Sequence, residues 1–344
     1  MMSRNKMTTE TTYPFIRNII EPVTLRKRFE AMRQFHPRIE TTETRPVIDN
    51  LADLPEDLTP GPTYRILVEP FGMNHTEIVD VFQETELIEA HRSGSTVSLS
   101  EAFRHNVTRL MDMDPVVQRQ RLRQYAKPIS RFRPTTMISL IKIYRPKYIL
   151  DFCSGWGDRL LGALAYDDRI KFYAGVDPNR RLSKGYNEMI EFFTEHRHKY
   201  QMVEGCAEEV DYPVPPSKTG KYDLVITSPP YFDLEIYSDA PTQSTARYND
   251  VATWYDRFLL PATMKAVDLL DEGGHLVISL NDGPDNGDGK QYTEKFVREV
   301  SRDRRLVYEG ILYTIPSVPF EKAVTATRDG VVTGCQPLWI WRKT

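Results

Sequence analysis

Cysteines and long apolar runs are both scarce in this chain of 344 residues. Its three cysteines, Cys153, Cys206 and Cys335, lie far from the histidines in sequence, so we predict no metal site and a reducing compartment. No stretch reaches about 18 consecutive apolar residues, and the first residues lack the apolar core of a signal peptide. We therefore expect a cytoplasmic protein without a membrane partner.

An excess of positive charge is also missing. The chain has 45 basic and 48 acidic residues, so nothing global indicates a polyanionic partner. Locally, residues 116–133 carry six basic residues and no acidic one, which is typical either of a phosphate-contacting segment or of a solvated helix face. These basic residues are Arg119, Arg121, Arg123, Lys127, Arg131 and Arg133.

The most informative segment is residues 223–232, in which a short apolar run ends in Thr-Ser-Pro-Pro-Tyr-Phe. The run predicts a strand, and the two prolines end it because neither can donate a hydrogen bond to a sheet. A rigid turn with a hydroxyl, free carbonyls and aromatic rings suits a planar molecule that carries an NH2 group. The pattern favours a site of amino-group methylation, although a proline-terminated strand followed by core aromatics would also produce it.

A second pattern lies upstream. Residues 147–165 read as a strand, a loop with Gly155 and Gly157, and a helix, which is an arrangement that lets a ligand approach the backbone. A further strand, residues 171–176, ends in Asp177, where a carboxylate can accept the two hydroxyls of a ribose. A tight turn and a helix cap are the structural alternatives for the glycines and for Asp177.

With these motifs, the chain resembles the S-adenosylmethionine-dependent methyltransferases that modify exocyclic amino groups of DNA bases. The resemblance spans roughly residues 128–344 and rests on Asp151 to Gly157, on Asp177 and on residues 227–231. It implies a Rossmann-like class I methyltransferase fold, S-adenosyl-L-methionine as cofactor, and DNA, or RNA, as partner. It implies catalytic roles for Ser228, Pro229, Pro230 and Tyr231, substrate contacts for Phe232 and Tyr237, and cofactor contacts for Asp151, Cys153, Gly155, Gly157, Asp177, Cys206, Ala207 and Ser228.

The residue before Pro-Pro-Tyr sets the expected base. In this respect the chain, with Ser228, resembles the cytosine-N4 enzymes, whereas adenine-N6 enzymes usually carry Asp or Asn at this position. We expect Ser228 and the Pro229 carbonyl to accept the amine hydrogens of a flipped base while Tyr231 or Phe232 stacks on it. Adenine-N6 or RNA-base methylation and a non-catalytic nucleic-acid-binding subunit are the alternatives. Methylation of a protein amide is disfavoured by Ser228. A nicotinamide dehydrogenase leaves the turn at residues 227–231, here named the catalytic turn, unexplained.

The chain departs from the family at two points. Cys206 occupies a position where an acidic residue often binds the adenine of the cofactor, which leaves Cys206, Ala207 or Glu208 as candidates. The sequence that follows the catalytic turn resembles that of enzymes in which the turn precedes the cofactor loop. Here the cofactor loop, Asp151 to Gly157, comes first. The chain thus resembles a circular permutation of those enzymes. The resemblance leaves open whether this chain has a restriction nuclease as partner.

Alternating strand and helix patterns after residue 128 predict a mostly parallel, doubly wound α/β sheet with helices on both faces. Before it, we predict a terminal arm and helical region (1–53), a proline-rich linker and a small auxiliary domain (64–127). Ligands should lie at the carboxyl ends of the strands.

Overall fold

The computed structural model describes residues 20–46, 56–58, 61–69, 75–89, 91–92, 121, 129–282, 291–315 and 335–344. The strands in this part of the chain are β1 (Arg38–Thr42), β2 (Tyr64–Val68), β3 (His91–Arg92), β4 (Tyr148–Asp151), β5 (Phe172–Asp177), β6 (Tyr200–Glu204), β7 (Tyr222–Thr227), β8 (Glu235–Ile236), β9 (Leu270–Ser279), β10 (Leu306–Thr314) and β11 (Gln336–Lys343).

The helices of the same part of the chain are α1 (Pro22–Arg33), α2 (Thr76–Glu89), α3 (Pro134–Tyr144), α4 (Asp158–Leu164), α5 (Ser183–Phe193), α6 (Ser244–Arg247), α7 (Val251–Trp254), α8 (Leu260–Asp268) and α9 (Thr293–Ser301). A π-helical turn, Tyr255–Leu259, joins α7 to α8. None of the described helices is long and apolar enough to cross a membrane.

Nine strands form one sheet in the order β1-β2-β10-β11-β9-β7-β4-β5-β6, and β3 pairs with β8 in a separate ribbon. The five strands from β9 to β6 are mutually parallel. Strand β11 runs antiparallel to both of its neighbours, β9 and β10. The Rossmann-like, doubly wound sheet predicted from the sequence is confirmed, and the antiparallel strand between β9 and β10 completes the class I methyltransferase fold.

Both faces of the sheet are covered, which explains the nearly continuous apolar strands. In β7, Leu224 and Ile226 point into a core under α1 to α5, whereas Val225 points into a core under α7 to α9. All three side chains are fully buried. A central strand such as β7 therefore has to be apolar on both sides, and its polar contacts lie at its ends.

The described N-terminal elements belong to this same body, which corrects the predicted arm and auxiliary domain. Strand β2 pairs in parallel with β10, and β1 pairs with β2, so the N-terminal strands extend the central sheet. Phe29 of α1 and Ile78 of α2 are buried in the same core as α3 to α5. The edge of the sheet next to β10 would otherwise present unpaired backbone groups, and the N-terminal strands cover it. The predicted boundary near residue 127 lies outside the described residues.

The shared sheet predicts the effect of a cavity in β2. Ile66 is fully buried between β1 and β10, so Ile66→Ala should lower the free energy of unfolding by about 2–5 kcal/mol. The matched control is Ile39→Ala on β1, because the Ile39 side chain is 42% exposed. Urea denaturation should show one transition displaced as a whole. A separate early transition, with the main one unmoved, would instead indicate an independent N-terminal domain.

Candidate active site

A cleft of about 1030 Å³, including its open mouth, lies at the carboxyl ends of the parallel strands. Its walls come from the segments that follow four strands: residues 153–156 after β4, 177–179 after β5, 206–208 after β6, and Ser228 with Pro230 after β7. Strand β4 is the point from which the chain order runs outward in both directions. A cleft at this switch point is where doubly wound sheets bind ligands.

Most of the predicted site residues meet in this cleft. Those that line it are Cys153, Gly155, Asp177, Cys206, Ala207, Ser228, Pro230 and Tyr237. Five predicted residues lie outside its lining: Asp151, Gly157, Pro229, Tyr231 and Phe232. The positions of these five show which parts of the motifs build the site from behind.

Asp151 is buried behind the cleft and has a structural role, and its predicted contact with the cofactor stays a prediction. Its carboxylate is fully buried, with Oδ2 accepting from Arg159 Nε at 2.7 Å and from the Tyr173 hydroxyl at 2.9 Å. Its Oδ1 accepts from the Thr227 hydroxyl at 3.0 Å. Arg159 also donates to the carbonyl of Cys153. The aspartate therefore fixes the cofactor loop to β5 and β7 from below.

The two glycines of the loop have different roles. Both have positive φ, +55° at Gly155 and +99° at Gly157. A methyl group on Gly155 would meet nothing within 4 Å, which leaves its backbone open towards the cleft, whereas one on Gly157 would lie 2.8 Å from Met189 Cε of α5. Gly157 thus permits close packing of helices, and Gly155 permits close approach of a ligand. The predicted contact of Gly157 with the cofactor stays a prediction.

Asp177 faces the cleft from the end of β5. Its Oδ2 accepts from the backbone N–H of Gly155 at 2.8 Å and its Oδ1 from that of Asn179 at 3.0 Å. Burial raises the pKa of Asp177 to about 6, and the two backbone hydrogen bonds oppose this shift. Each carboxylate oxygen keeps acceptor capacity, so Asp177 can still receive two hydroxyl donors.

The catalytic turn presents Ser228 to the cleft and keeps Tyr231 behind it. The two hydroxyls lie 3.4 Å apart, and the Tyr231 hydroxyl lies 3.3 Å from Ser279 Oγ. Gln336 Nε2 donates to Tyr231 at 2.9 Å and to Ser279 at 3.0 Å. The ends of β7, β9 and β11 thereby form one polar network beneath Ser228. The turn is confirmed as a proline-terminated strand end, and base stacking by Tyr231 stays a prediction.

Phe232 packs in the core outside the lining of the cleft, and its predicted contact with the substrate stays a prediction. Its ring is 7% exposed and meets the Trp254 ring edge-on, with 5.8 Å between the ring centroids. Its φ of +50° lies in the left-handed region, which bulky side chains rarely adopt. The strained backbone reverses the chain immediately after the turn, and the aromatic contact compensates for it.

An aromatic wall closes the side of the cleft next to Ser228. The Tyr237 ring meets the Trp156 ring edge-on with 6.0 Å between centroids, and its hydroxyl donates to Glu235 Oε2 at 3.1 Å. Glu235 is buried and also accepts from the backbone N–H of Ser130 at 2.5 Å. Burial and the Glu235 carboxylate raise the pKa of Tyr237 well above its usual value, so this phenol is neutral and acts through its ring and its hydrogen bond.

Several lining residues were not singled out from the sequence. Trp156 lies inside the glycine motif, but its spacing alone gives no sign that its ring faces the cleft. Residues 242–244 follow no strand of the core, so no strand-end rule selects them. The lining residues missed in this way include Phe132, Trp156, Asn179, Thr242, Gln243 and Ser244.

Two residues at the end of the basic segment, Arg131 and Arg133, make internal ion pairs, and phosphate contact by the rest of the segment stays a prediction. Arg131 binds both oxygens of Asp158, at 3.1 and 2.8 Å, and also binds Asp80 of α2. Arg133 binds the buried Glu69 at 2.9 Å. Arg121 is exposed, and Arg119, Arg123 and Lys127 lie outside the described residues. Within the described residues, no group of three potential ligands is placed to hold a metal ion.

No protein-family model and no curated protein matches the chain. Its fold is similar to solved structures, among them TrmN from Thermus thermophilus, at 11% identity and a TM-score of 0.38 over 62% of this chain and 49% of that one. An O-methyltransferase from Bacillus cereus in complex with SAH is 12% identical, with a TM-score of 0.38 over 72% of this chain and 90% of the other.

The N-methyltransferase NodS from Bradyrhizobium japonicum WM9 is likewise 12% identical, with a TM-score of 0.37 over 61% of this chain and 93% of that one. The chain thus spans about half the length of TrmN. Similarities at these identities and TM-scores concern the fold alone.

The raised pKa of Asp177 predicts a pH-dependent stability. Its usual value is 3.8 and its folded value about 6, so the stability that protonation contributes is complete below about pH 4 and is lost as the pH rises through 6. Relative to wild type, Asp177→Asn should gain on the order of 1–2 kcal/mol between pH 4.5 and pH 8. Denaturation at both pH values, without ligand, measures this change. The exposed Asp211→Asn is the control, and an equal effect at both pH values would contradict the assignment.

Proposed function

We propose that the protein is an S-adenosylmethionine-dependent methyltransferase that acts on an exocyclic amino group of a nucleic-acid base. The observation that carries this proposal is one cleft in which Asp177, Gly155 and Ser228 face the same space. These residues follow β5, β4 and β7, which are neighbours in the sheet. A carboxylate for a ribose and a hydroxyl for an amine are thereby brought to one site.

The residues of the cleft fit the cofactor. The Asp177 carboxylate would accept hydroxyls of the ribose, and Gly155 leaves the space for close approach. Asn179 and Gln243 also line the cleft, and the buried amide nitrogen of each lacks a partner, which favours a polar ligand there. When bound, the cofactor supplies an electrophilic methyl group on a positively charged sulfur.

Ser228 is the residue that would handle the substrate amine. If its own proton is donated to the Tyr231 hydroxyl, both lone pairs of its oxygen are left for amine hydrogens. Gln336 and Ser279 hold the Tyr231 hydroxyl in place for this contact. The amine lone pair is then directed away from its hydrogens, as nucleophilic attack requires. The site needs no strong base, because the proton can leave after the methyl group has been transferred.

DNA is the proposed substrate, with N4 of cytosine favoured over N6 of adenine. Ser228 before Pro-Pro-Tyr supports cytosine, and a hydroxyl can accept an amine hydrogen from either base. A base inside a duplex cannot reach the cleft, so it has to be flipped or single-stranded. The rings of Tyr237 and Trp156, which meet edge-on, are among the aromatic side chains that line the same cleft as Ser228.

The test supplies the purified chain with methyl-labelled S-adenosylmethionine and either methylation-free DNA or unmodified RNA. Digestion to nucleosides and separation by mass should give N4-methylcytosine from DNA. N6-methyladenine would overturn the choice of base, and label in RNA alone would overturn the choice of nucleic acid. No transfer to either polymer, despite cofactor binding, would favour a nucleic-acid-binding subunit without catalysis.

Ser228→Ala should lower the rate of methyl transfer by about tenfold to a hundredfold, because an amine hydrogen loses its acceptor. The dissociation constant for the cofactor should stay within about threefold of wild type. Single-turnover kinetics and calorimetry measure the two quantities separately. Ser217→Ala, in the loop before β7 and away from the cleft, is the control. An unchanged transfer rate would remove Ser228 from the reaction.

A further inference from the structure

Three residues that line the cleft each carry a buried polar atom without a hydrogen-bond partner: Asn179 Nδ2, Gln243 Nε2 and Ser244 Oγ. Asn179 is 9% exposed and Gln243 is 7% exposed. A buried donor without a partner is destabilising, so native proteins rarely keep one. Three such atoms on residues around one cleft therefore point to a ligand that supplies acceptors.

These atoms lie over the ends of β5 and β6. Segment 242–247 is attached there by several contacts, of which three follow. The Thr242 hydroxyl donates to the Pro178 carbonyl at 3.4 Å, and the Cys206 thiol lies 3.9 Å from the Thr242 carbonyl. Arg247 Nε lies 3.4 Å from Glu208. The segment that follows the catalytic turn thus folds back over the part of the cleft farthest along the sheet from β7.

The donors are held in place by their own backbone. The Oδ1 of Asn179 accepts from the N–H of Arg181 at 3.2 Å, which leaves the amide nitrogen as its free group. The backbone carbonyl of Gln243 accepts from Ala246 and Arg247 at the start of α6. These hydrogen bonds hold Asn179 and Gln243 in place before any ligand binds, so little conformational freedom would be lost on binding.

Cys206 cannot supply the charged acceptor that its position suggests. Burial and the Glu208 carboxylate raise the pKa of the Cys206 thiol. A protonated thiol is only a weak hydrogen-bonding group. The Glu208 carboxylate already accepts from the Tyr248 hydroxyl at 3.0 Å and pairs with Arg247. Both of these contacts use Oε1, so the carboxylate of Glu208 keeps acceptor capacity at Oε2, whereas the hydrogen-bond donors at this end have to come from other groups.

We propose that Gln243, with Ser244, recognises the adenine ring of S-adenosylmethionine, and that Asn179 donates to the adjoining sugar. The inference rests on the proposed function and adds to it the residues that select the nucleoside. The ring nitrogens of adenine are acceptors without hydrogens, and the unpartnered amide nitrogen of Gln243 is a donor. Recognition of the adenine of the cofactor is thereby assigned to the segment after the catalytic turn, next to the acidic Glu208 that follows β6.

The first test measures binding of S-adenosylhomocysteine, the stable product form of the cofactor, to the full chain by calorimetry. Gln243→Ala should weaken binding about tenfold, and Gln243→Glu, which keeps the shape and removes the donor, should do at least as much harm. Gln201→Ala, an exposed glutamine of β6, is the matched control and should bind as wild type does. Thermal denaturation of each variant separates lost binding from lost folding.

The second test uses the 1-deaza, 3-deaza and 7-deaza forms of S-adenosylhomocysteine, each of which lacks one ring acceptor. Wild type should bind one of the three about tenfold more weakly than the parent, and that difference should disappear in Gln243→Ala. If Gln243→Ala weakens the parent and all three analogues equally, or not at all, the inference is wrong. If wild type binds none of these compounds, the proposed function itself fails.

Discussion

The site depends on one buried carboxylate. Asp151 joins Arg159 of α4, Tyr173 of β5 and Thr227 of β7, so two neighbouring strands and the helix after the loop share a single anion. Removing one partner of a buried ion pair costs about 3–5 kcal/mol, because the other charge is left without compensation. The Thr227 hydroxyl also accepts from the backbone N–H of Cys153 at 3.0 Å. The residue before Ser228 is therefore bound directly to the cofactor loop, and the positions of both motifs are set together.

The backbone is strained immediately after the catalytic turn. Phe232 has φ of +50° one residue after Tyr231, and it is held there by the ring of Trp254. Positive φ at a bulky residue persists only where packing enforces it. The π-helical turn Tyr255–Leu259 begins one residue after Trp254, so an irregular helix supports an irregular turn. The catalytic turn is rigid because the core on its far side is fully packed.

The sequence predicts the strand ends well and the remainder of the site poorly, for a physical reason. Apolar runs ending in Asp177 or in Pro-Pro mark where chains leave the sheet, and these positions converge on the cleft as expected. Whether a side chain then faces the ligand or the core depends on packing that no local pattern encodes. Phe232 and Gly157 were placed in the site and belong to the core, whereas Gln243 was overlooked because it follows no core strand. The N-terminal strands were separated from the sheet because their partner, β10, lies more than 200 residues later in the chain.

The order of the motifs along the chain has no bearing on whether they can form one site. Strands β4 and β7 are paired directly, with Ile149 opposite Leu224 and Leu150 opposite Val225. The loop after β4 and the turn after β7 therefore emerge side by side, whichever of them is synthesised first. Residues at the end of a sheet can form one site when they are adjacent in space, and strand pairing makes them adjacent. The connection between two strands decides only which segment of the chain runs from one to the other. Here the segment after the turn crosses back towards β6, which places Gln243 and Ser244 at one end of the cleft and Ser228 at the other. A permuted chain can thus keep the same catalytic turn and cofactor loop while it draws other contacts to the ligand from a different connection.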